Sequence, residues 1–358
     1  MMALRVRAVA LPAERERDLY VVGDRLTFEP VASAETVVRS GWAVPGLVDA
    51  HCHIGLLPQG FVDSVSVAKD LAMVNRAAGA LTIRDAGSPF SYAELDNDPD
   101  MPRLLRAGRH IAPPKRYIPR LAVDTTGLQL AATVAEQARA GNGWVKLVGD
   151  WIDREAGDLG PTYDRESLTA AVKAAHDAGA RITVHTFSEA ALPDLLDAGL
   201  DCIEHGTGLS TDLLNKMASV GTALVPTMIN IETFGDIADK AQQKFPAYAD
   251  HMRRLRDGFP AVVAAAYEAG VQIFAGTDAG GGIAHGLIGQ EIQRLHAAGM
   301  SAVDALAAGS WRARDWLGLP GLVEGGLADL VVYDTDPRQD LGVLATPSRI
   351  ILRGRVIA

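Results

Sequence analysis

The sequence predicts an α/β fold: a (β/α)8, TIM-like barrel with a small β-sandwich domain formed by both chain ends. Three observations carry this. Eight short apolar runs recur, near 43–49, 80–85, 103–107, 144–148, 181–185, 201–205, 223–226 and 271–276. Helix-like stretches lie between them, and many end in a glycine just before the next run, as at Ala178-Gly179 and Val220-Gly221. The two flanks, 1–42 and 321–358, hold short β-like runs and no helical pattern.

Each element has its reason. An apolar run of four to eight residues bounded by turn residues reads as a buried strand, and strands alternating with helices read as a parallel sheet. Helical patterns stand out over 165–178, 188–198, 286–298 and 301–317. Glycine past a helix end takes the left-handed conformation cheaply. Eight strand–helix units in residues 43–320 fit a barrel. The flanks offer Leu4–Leu11, Leu19–Val22, Asp329–Tyr333 and Arg349–Ile357 as strands. Neither flank can bury a core alone, so 1–42 and 321–358 are expected to form one composite β-domain.

Composition narrows the function. The 358 residues are 48% hydrophobic and 22% charged, as in a globular enzyme. A net charge of −10 argues against nucleic acid as a partner. No apolar stretch approaches the roughly 18 residues of a membrane span. Met-Met-Ala-Leu-Arg-Val-Arg carries charges where a signal peptide needs its apolar region. The expectation is a cytoplasmic protein with a small-molecule substrate and neither nucleic-acid nor membrane partners; a homo-oligomer stays open. Cys52 and Cys202 read as reduced, small core residues.

The chemistry concentrates at strand ends. His51-Cys52-His53 closes the run that starts at Val44. Residues i and i+2 of a strand face one side, so both imidazoles can meet one metal ion. Lys146, His185, His205 and Asp278 also stand at the ends of apolar runs. In a barrel those ends share one face, where active sites lie. Imidazole and carboxylate suit zinc and similar divalent ions.

These motifs carry a resemblance. Pro45-Gly-Leu-Val-Asp-Ala-His-Cys-His, Trp144-Val-Lys-Leu-Val, Val184-His-Thr, Ile203-Glu-His-Gly, Gly276-Thr-Asp-Ala and the tail from Gly325 to Pro337 span nearly the whole chain. Together they resemble the amidohydrolase superfamily of metal-dependent hydrolases. The nearest branch holds imidazolonepropionase-like proteins and Xaa-Pro or Xaa-Arg/Lys dipeptidases, on Leu81-Thr-Ile-Arg-Asp-Ala-Gly, Glu204-His-Gly and Val225-Pro-Thr. The resemblance implies two divalent ions, zinc first among them. His51, His53 and Asp278 would hold one, and His185 and His205 the other. Lys146, carboxylated, would bridge them, because a bare ammonium has no lone pair to offer. A metal-bridged hydroxide would attack a carbonyl, with Asp278 as the catalytic proton carrier. The implied reaction is hydrolysis of a C–N bond in a small amide, N-acyl amino acid or dipeptide. Ester, lactone or carbamate hydrolysis and deamination remain alternatives; all six ligand positions speak against a non-catalytic relative.

Substrate contacts are expected in the loops after the third and eighth strands: Arg116, Tyr117 and His285. The dipeptidase branch tends to carry a Gly- and His-rich segment after strand 3, whereas this chain has His110-Ile-Ala-Pro-Pro-Lys-Arg-Tyr-Ile-Pro-Arg. That departure puts dipeptide specificity in question, and the basic Lys115–Arg120 stretch is expected to hold an anionic group. The segment Met228–Phe234 is next in line. His110 stands where it could line the pocket. His176, His251 and His296 read as helix-surface residues, and Gly280–Gly282 as a flexible loop at the mouth.

Overall fold

A computed structural model describes residues 2–358. Its helices follow the amphipathic pattern. In Arg165–Asp177 the buried residues are Leu168, Ala171, Val172 and Ala175, spaced to fall on one face. Asp164 caps the first turn by accepting from the Ser167 N–H, and Gly179 (φ +74°) follows the last. The chain then enters strand Arg181–Thr186.

The parallel strands form two ladders. Leu47–Cys52 pairs with Ala80–Asp85, which pairs with Arg103–Arg106. The second ladder runs Ala122–Asp124, His110–Ala112, Trp144–Val148, Arg181–Thr186, Cys202–His205, Ala223–Val225. A backbone bond joins the two: Asn142 N, just before Trp144–Val148, donates to Arg106 O. At the other side, Phe274 N donates to Leu224 O and Ala50 N to Ala275 O, so the 271–279 segment touches both the last and the first strand. This is a TIM-barrel-like α/β arrangement, and it brings the C-terminal ends of its strands to one face.

Both flanks enter one eight-stranded sheet, in which Leu4–Ala10, Trp42–Pro45 and Leu330–Tyr333 are neighbours. Its own core takes alternate residues, Val6, Ala8 and Ala10 from the first strand and Leu330 and Val332 from the far end of the chain. Opposite the site, Trp316 stacks on Phe274 with centroids 4.3 Å apart, and the Arg84 and Arg181 guanidinium groups lie over the Trp144 ring. No helix among the described residues is long and apolar enough to cross a membrane.

Four expected elements change shape, and the first is the run 271–276, which forms no regular strand and meets Leu224 only through an isolated bridge at Ile273. The run 43–49 divides at Gly46: Trp42–Pro45 belongs to the flank sheet and Leu47–Cys52 to the parallel strands. A Cβ at Gly46 would lie 2.7 Å from the Leu81 side chain, so only glycine lets the two parts meet there. The helix expected over 301–317 is two, Ala302–Ala308 and Trp311–Trp316. Gly309, between them, packs so closely that a Cβ would meet Ile292 at 2.4 Å. The 188–198 helix shortens to Leu192–Asp197, opened by Pro193 in its first turn.

Candidate metal centre

His51, Cys52 and His53 end a strand buried on both faces. His51 Nδ1 donates to Glu204 Oε2 at 2.6 Å, and His53 Nδ1 to the Gly87 carbonyl at 2.9 Å. With both protons on Nδ1, each Nε2 carries a lone pair. These two nitrogens lie 3.1 Å apart, and each is 3.1 Å from Asp278 Oδ1. Three acceptors aimed at one point repel unless a cation sits among them. Donors about 2.1 Å from a tetrahedral ion would be spaced about 3.4 Å apart, near the 3.1 Å seen. His51, His53 and Asp278 thus make a metal-capable cluster.

The other three expected ligands surround it. Lys146 is 1% exposed, and its Nζ has no hydrogen-bond partner. Burial lowers its pKa, which favours the neutral amine needed for carboxylation. His185 Nε2 is likewise buried and unpartnered. The His185 ring lies 4.7 Å from that of His205, which lies 5.2 Å from that of His51. Burial pushes His185 well below the ordinary imidazole pKa and His205 down to about 3, so both are neutral, as ligands must be.

Backbone strain concentrates here. His205 (φ +67°) and Thr227 (φ +50°), at the ends of successive strands, and Asp278 (φ +57°), in the 271–279 segment beside them, all take the left-handed conformation. Gly276 admits the close approach of the 271–279 segment, since a Cβ there would lie 2.6 Å from His51 N.

Further residues hold this arrangement. Glu204, fully buried, links His51 to Arg84, whose Nη2 donates to Oε1 at 2.7 Å. Against burial, Arg84 and His51 keep the Glu204 carboxyl well below its usual range. Thr227 Oγ1 bonds His205 Nδ1 at 2.7 Å, and Asn230 Nδ2 donates to Asp278 Oδ2 at 2.8 Å. Asp49 accepts from Thr277, pinning the segment before Asp278. The Glu204-His205-Gly206 and Val225-Pro-Thr motifs marked two of these positions without their roles.

A cavity of about 520 Å³ opens above the cluster. Tyr117 lines it, together with Trp151, Phe187, Tyr248, Asn230 and the Gly280–Gly282 loop. His110 stacks on His53 and Tyr117, with neither ring nitrogen hydrogen-bonded. Arg116 does not face the cavity: its guanidinium serves Asp153 and the carbonyls of Trp151, Gly160 and Pro161, fastening a β-hairpin. Lys115 and Arg120 also lie outside the lining, so the expected anion receptor is not that stretch. His285 stands behind the wall, its Nδ1 3.0 Å from Asn75 Nδ2 and 3.7 Å from Cys52 Sγ. His251 is buried rather than on a helix surface; it bridges Asp158 and Glu189 at 2.8 and 2.9 Å, a pairing its sequence neighbours do not reveal. His176 and His296 are exposed, as expected, and His296 Nδ1 lies 2.7 Å from the Met300 carbonyl. Cys52 and Cys202 are buried and free.

Known proteins place this geometry in context. An uncharacterized protein of Mycobacterium tuberculosis is 54% identical over 353 residues, covering 98% of this chain and 95% of its own. A crystal structure of a Xaa-Pro dipeptidase with methionine in its active site superposes with a TM-score of 0.84 at 22% identity, covering 99% of both chains. A prolidase complexed with N-methylphosphonate-L-proline gives 0.80 at 17% identity, over 99% of this chain and 98% of that one. Such low identities establish a shared fold. The model of the amidohydrolase family matches residues 42–357, which takes in every strand end of the cluster, and the chain belongs to that family.

Proposed function

We propose that this amidohydrolase-family hydrolase uses a binuclear metal centre to cut a C–N bond of a small amide such as an N-acyl amino acid or dipeptide. The observation that carries this is the convergence of the His51 and His53 Nε2 lone pairs with Asp278 Oδ1, beside a buried Lys146 amine with no partner. His51, His53 and Asp278 would hold one ion, and His185 and His205 the second, with carboxylated Lys146 bridging. An ammonium buried without a partner is costly, and carboxylation turns it into an anion suited to two cations. Two such ions, zinc in this reading, would supply a water acidified toward neutrality and a Lewis acid for the substrate carbonyl.

The chain's own groups complete the chemistry. The Asp278 carboxylate takes the proton of the attacking water and passes it to the leaving nitrogen. Asn230 steadies its Oδ2. Tyr117, Trp151 and Phe187 exclude bulk water from the reacting bond. The same reading takes 43–320 as a closed eight-stranded barrel and 1–42 with 321–358 as a composite β-sandwich. It describes a cytoplasmic enzyme of small molecules.

Elemental analysis of protein grown with ample metal is expected to give about two ions per chain. Lys146→Ala should lose metal and activity together, with partial rescue by short carboxylic acids that replace the carbamate. A stoichiometry that stays at one or below rejects the binuclear centre.

A further inference from the structure

The cavity has two kinds of wall. Tyr117, Trp151, Phe187 and Tyr248, with Ile237 and Ile283, give an apolar surface suited to a large hydrophobic group. Among the described residues lining it, Lys240 is the one lysine or arginine apart from Lys146. Lys240 sits in the last turn of the helix Phe234–Ala241, exposed toward the mouth. It pairs with no carboxylate, whereas Lys69, Lys173 and Lys216 each hold an aspartate. The cations of the strand-3 loop are committed or turned away: Arg116 to its hairpin, Arg120 to the face of Phe61. Asp236, one turn before Lys240, also lines the cavity and offsets part of its field.

Resting on the amide-hydrolase reading, we propose that Lys240 receives a carboxylate of the substrate. The substrates are then monoanionic N-acyl amino acids with an apolar or aromatic side chain. The side chain lies against the aromatic wall, the carboxylate meets Lys240 at the mouth, and the acyl carbonyl reaches the histidine cluster. Asp236 weakens the attraction, so the rim suits one negative charge and discourages two.

The test compares a panel of N-acyl-L-phenylalanines with the matching N-acyl-phenethylamines, which lack only the carboxylate. Binding is measured by equilibrium dialysis and turnover by product release, for wild type, Lys240→Met and Asp236→Asn. Methionine keeps an unbranched apolar stem while removing the charge. Wild type should favour the acids by about tenfold. Lys240→Met should lose that preference through KM, with the neutral series within about twofold of wild type. Asp236→Asn should move the acids the other way, toward tighter binding, which a merely structural role for this helix would not do. Equal binding of acids and neutral partners by wild type overturns the proposal, as does a preference that survives in Lys240→Met. If binding follows Lys240 but no panel member is cut, the carboxylate site stands and the hydrolase reading falls.

Discussion

His51 can serve as a ligand in one tautomer only, and Glu204 sets it. The 2.6 Å bond from Nδ1 to Glu204 leaves Nε2 free for the cluster, and Arg84 keeps Glu204 ionised beneath it. Glu204→Gln removes that charge and leaves Arg84 buried without an anion. Metal affinity is expected to fall by about 10–100-fold, read by titration against a competing chelator; unchanged affinity would show that His51 orients itself. Asp278→Asn keeps an oxygen in place and removes the proposed base. Its kcat should drop by about 10²–10⁴ with the ion at His185 and His205 retained. Near-normal turnover would send the proton elsewhere. The candidate ligand types stood out in the sequence because each lies at the end of an apolar run. Glu204 was legible as part of a motif and not as a partner. Neighbours on a strand face opposite sides, yet Glu204 and His205 both face the site because His205 leaves the strand at φ +67°.

At the scale of elements, the helix Ile288–Ala297 steers the short helix Met228–Glu232 that presents Asn230. Glu291, fully buried, accepts from the N–H groups of Met228 and Ile229 at 2.7 and 3.0 Å. Burial pushes its carboxyl up to about 8. A raised acid binds its proton in the folded chain when the unfolded chain has already lost it. Stability therefore falls as pH rises from the unfolded value of about 4.5 through about 8, with a slope of at most about 1.4 kcal/mol per pH unit. Asp49 and Asp150, raised to about 6, act with the same sign at lower pH, and the lowered histidines act oppositely below about 6.5. Between pH 7 and 8 Glu291 is left to act alone among these groups. Thermal melts of metal-free protein in that window should show a falling Tm, and Glu291→Gln should flatten it. An equally steep fall in Glu291→Gln would assign the slope to another group. The long helix Pro246–Glu268 escaped the periodicity reading, and Pro260 inside it is the reason: a mid-helix proline reads as a break.

At the scale of the whole molecule, the two chain ends are held in one sheet. Leu330–Tyr333 pairs with both Trp42–Pro45 and Arg349–Leu352. Ile350, Ile351 and Leu352 are buried at 1% exposure or less. Burying three such side chains contributes about 5–9 kcal/mol, comparable with the roughly 5–15 kcal/mol that holds a domain folded. A chain ending at Thr346 is expected to lose its cooperative melt or to melt at least about 10 °C lower. An unchanged Tm would mean that the C-terminal strands are dispensable.

The alternation of strands and helices and the residue types that stand at the strand ends were legible in the sequence by itself. Apolar periodicity and residue chemistry are local properties, readable within a window of about ten residues. Only tertiary structure decided which charged groups face the cavity. Arg116 and Lys240 are both basic residues in segments that follow strands. One is claimed by a hairpin more than thirty residues away, and the other is left free at the mouth. A side chain's partner depends on what the fold carries to it across long sequence separations. The same holds for Arg84, Glu204 and His51, three residues of three strands that meet at one buried point.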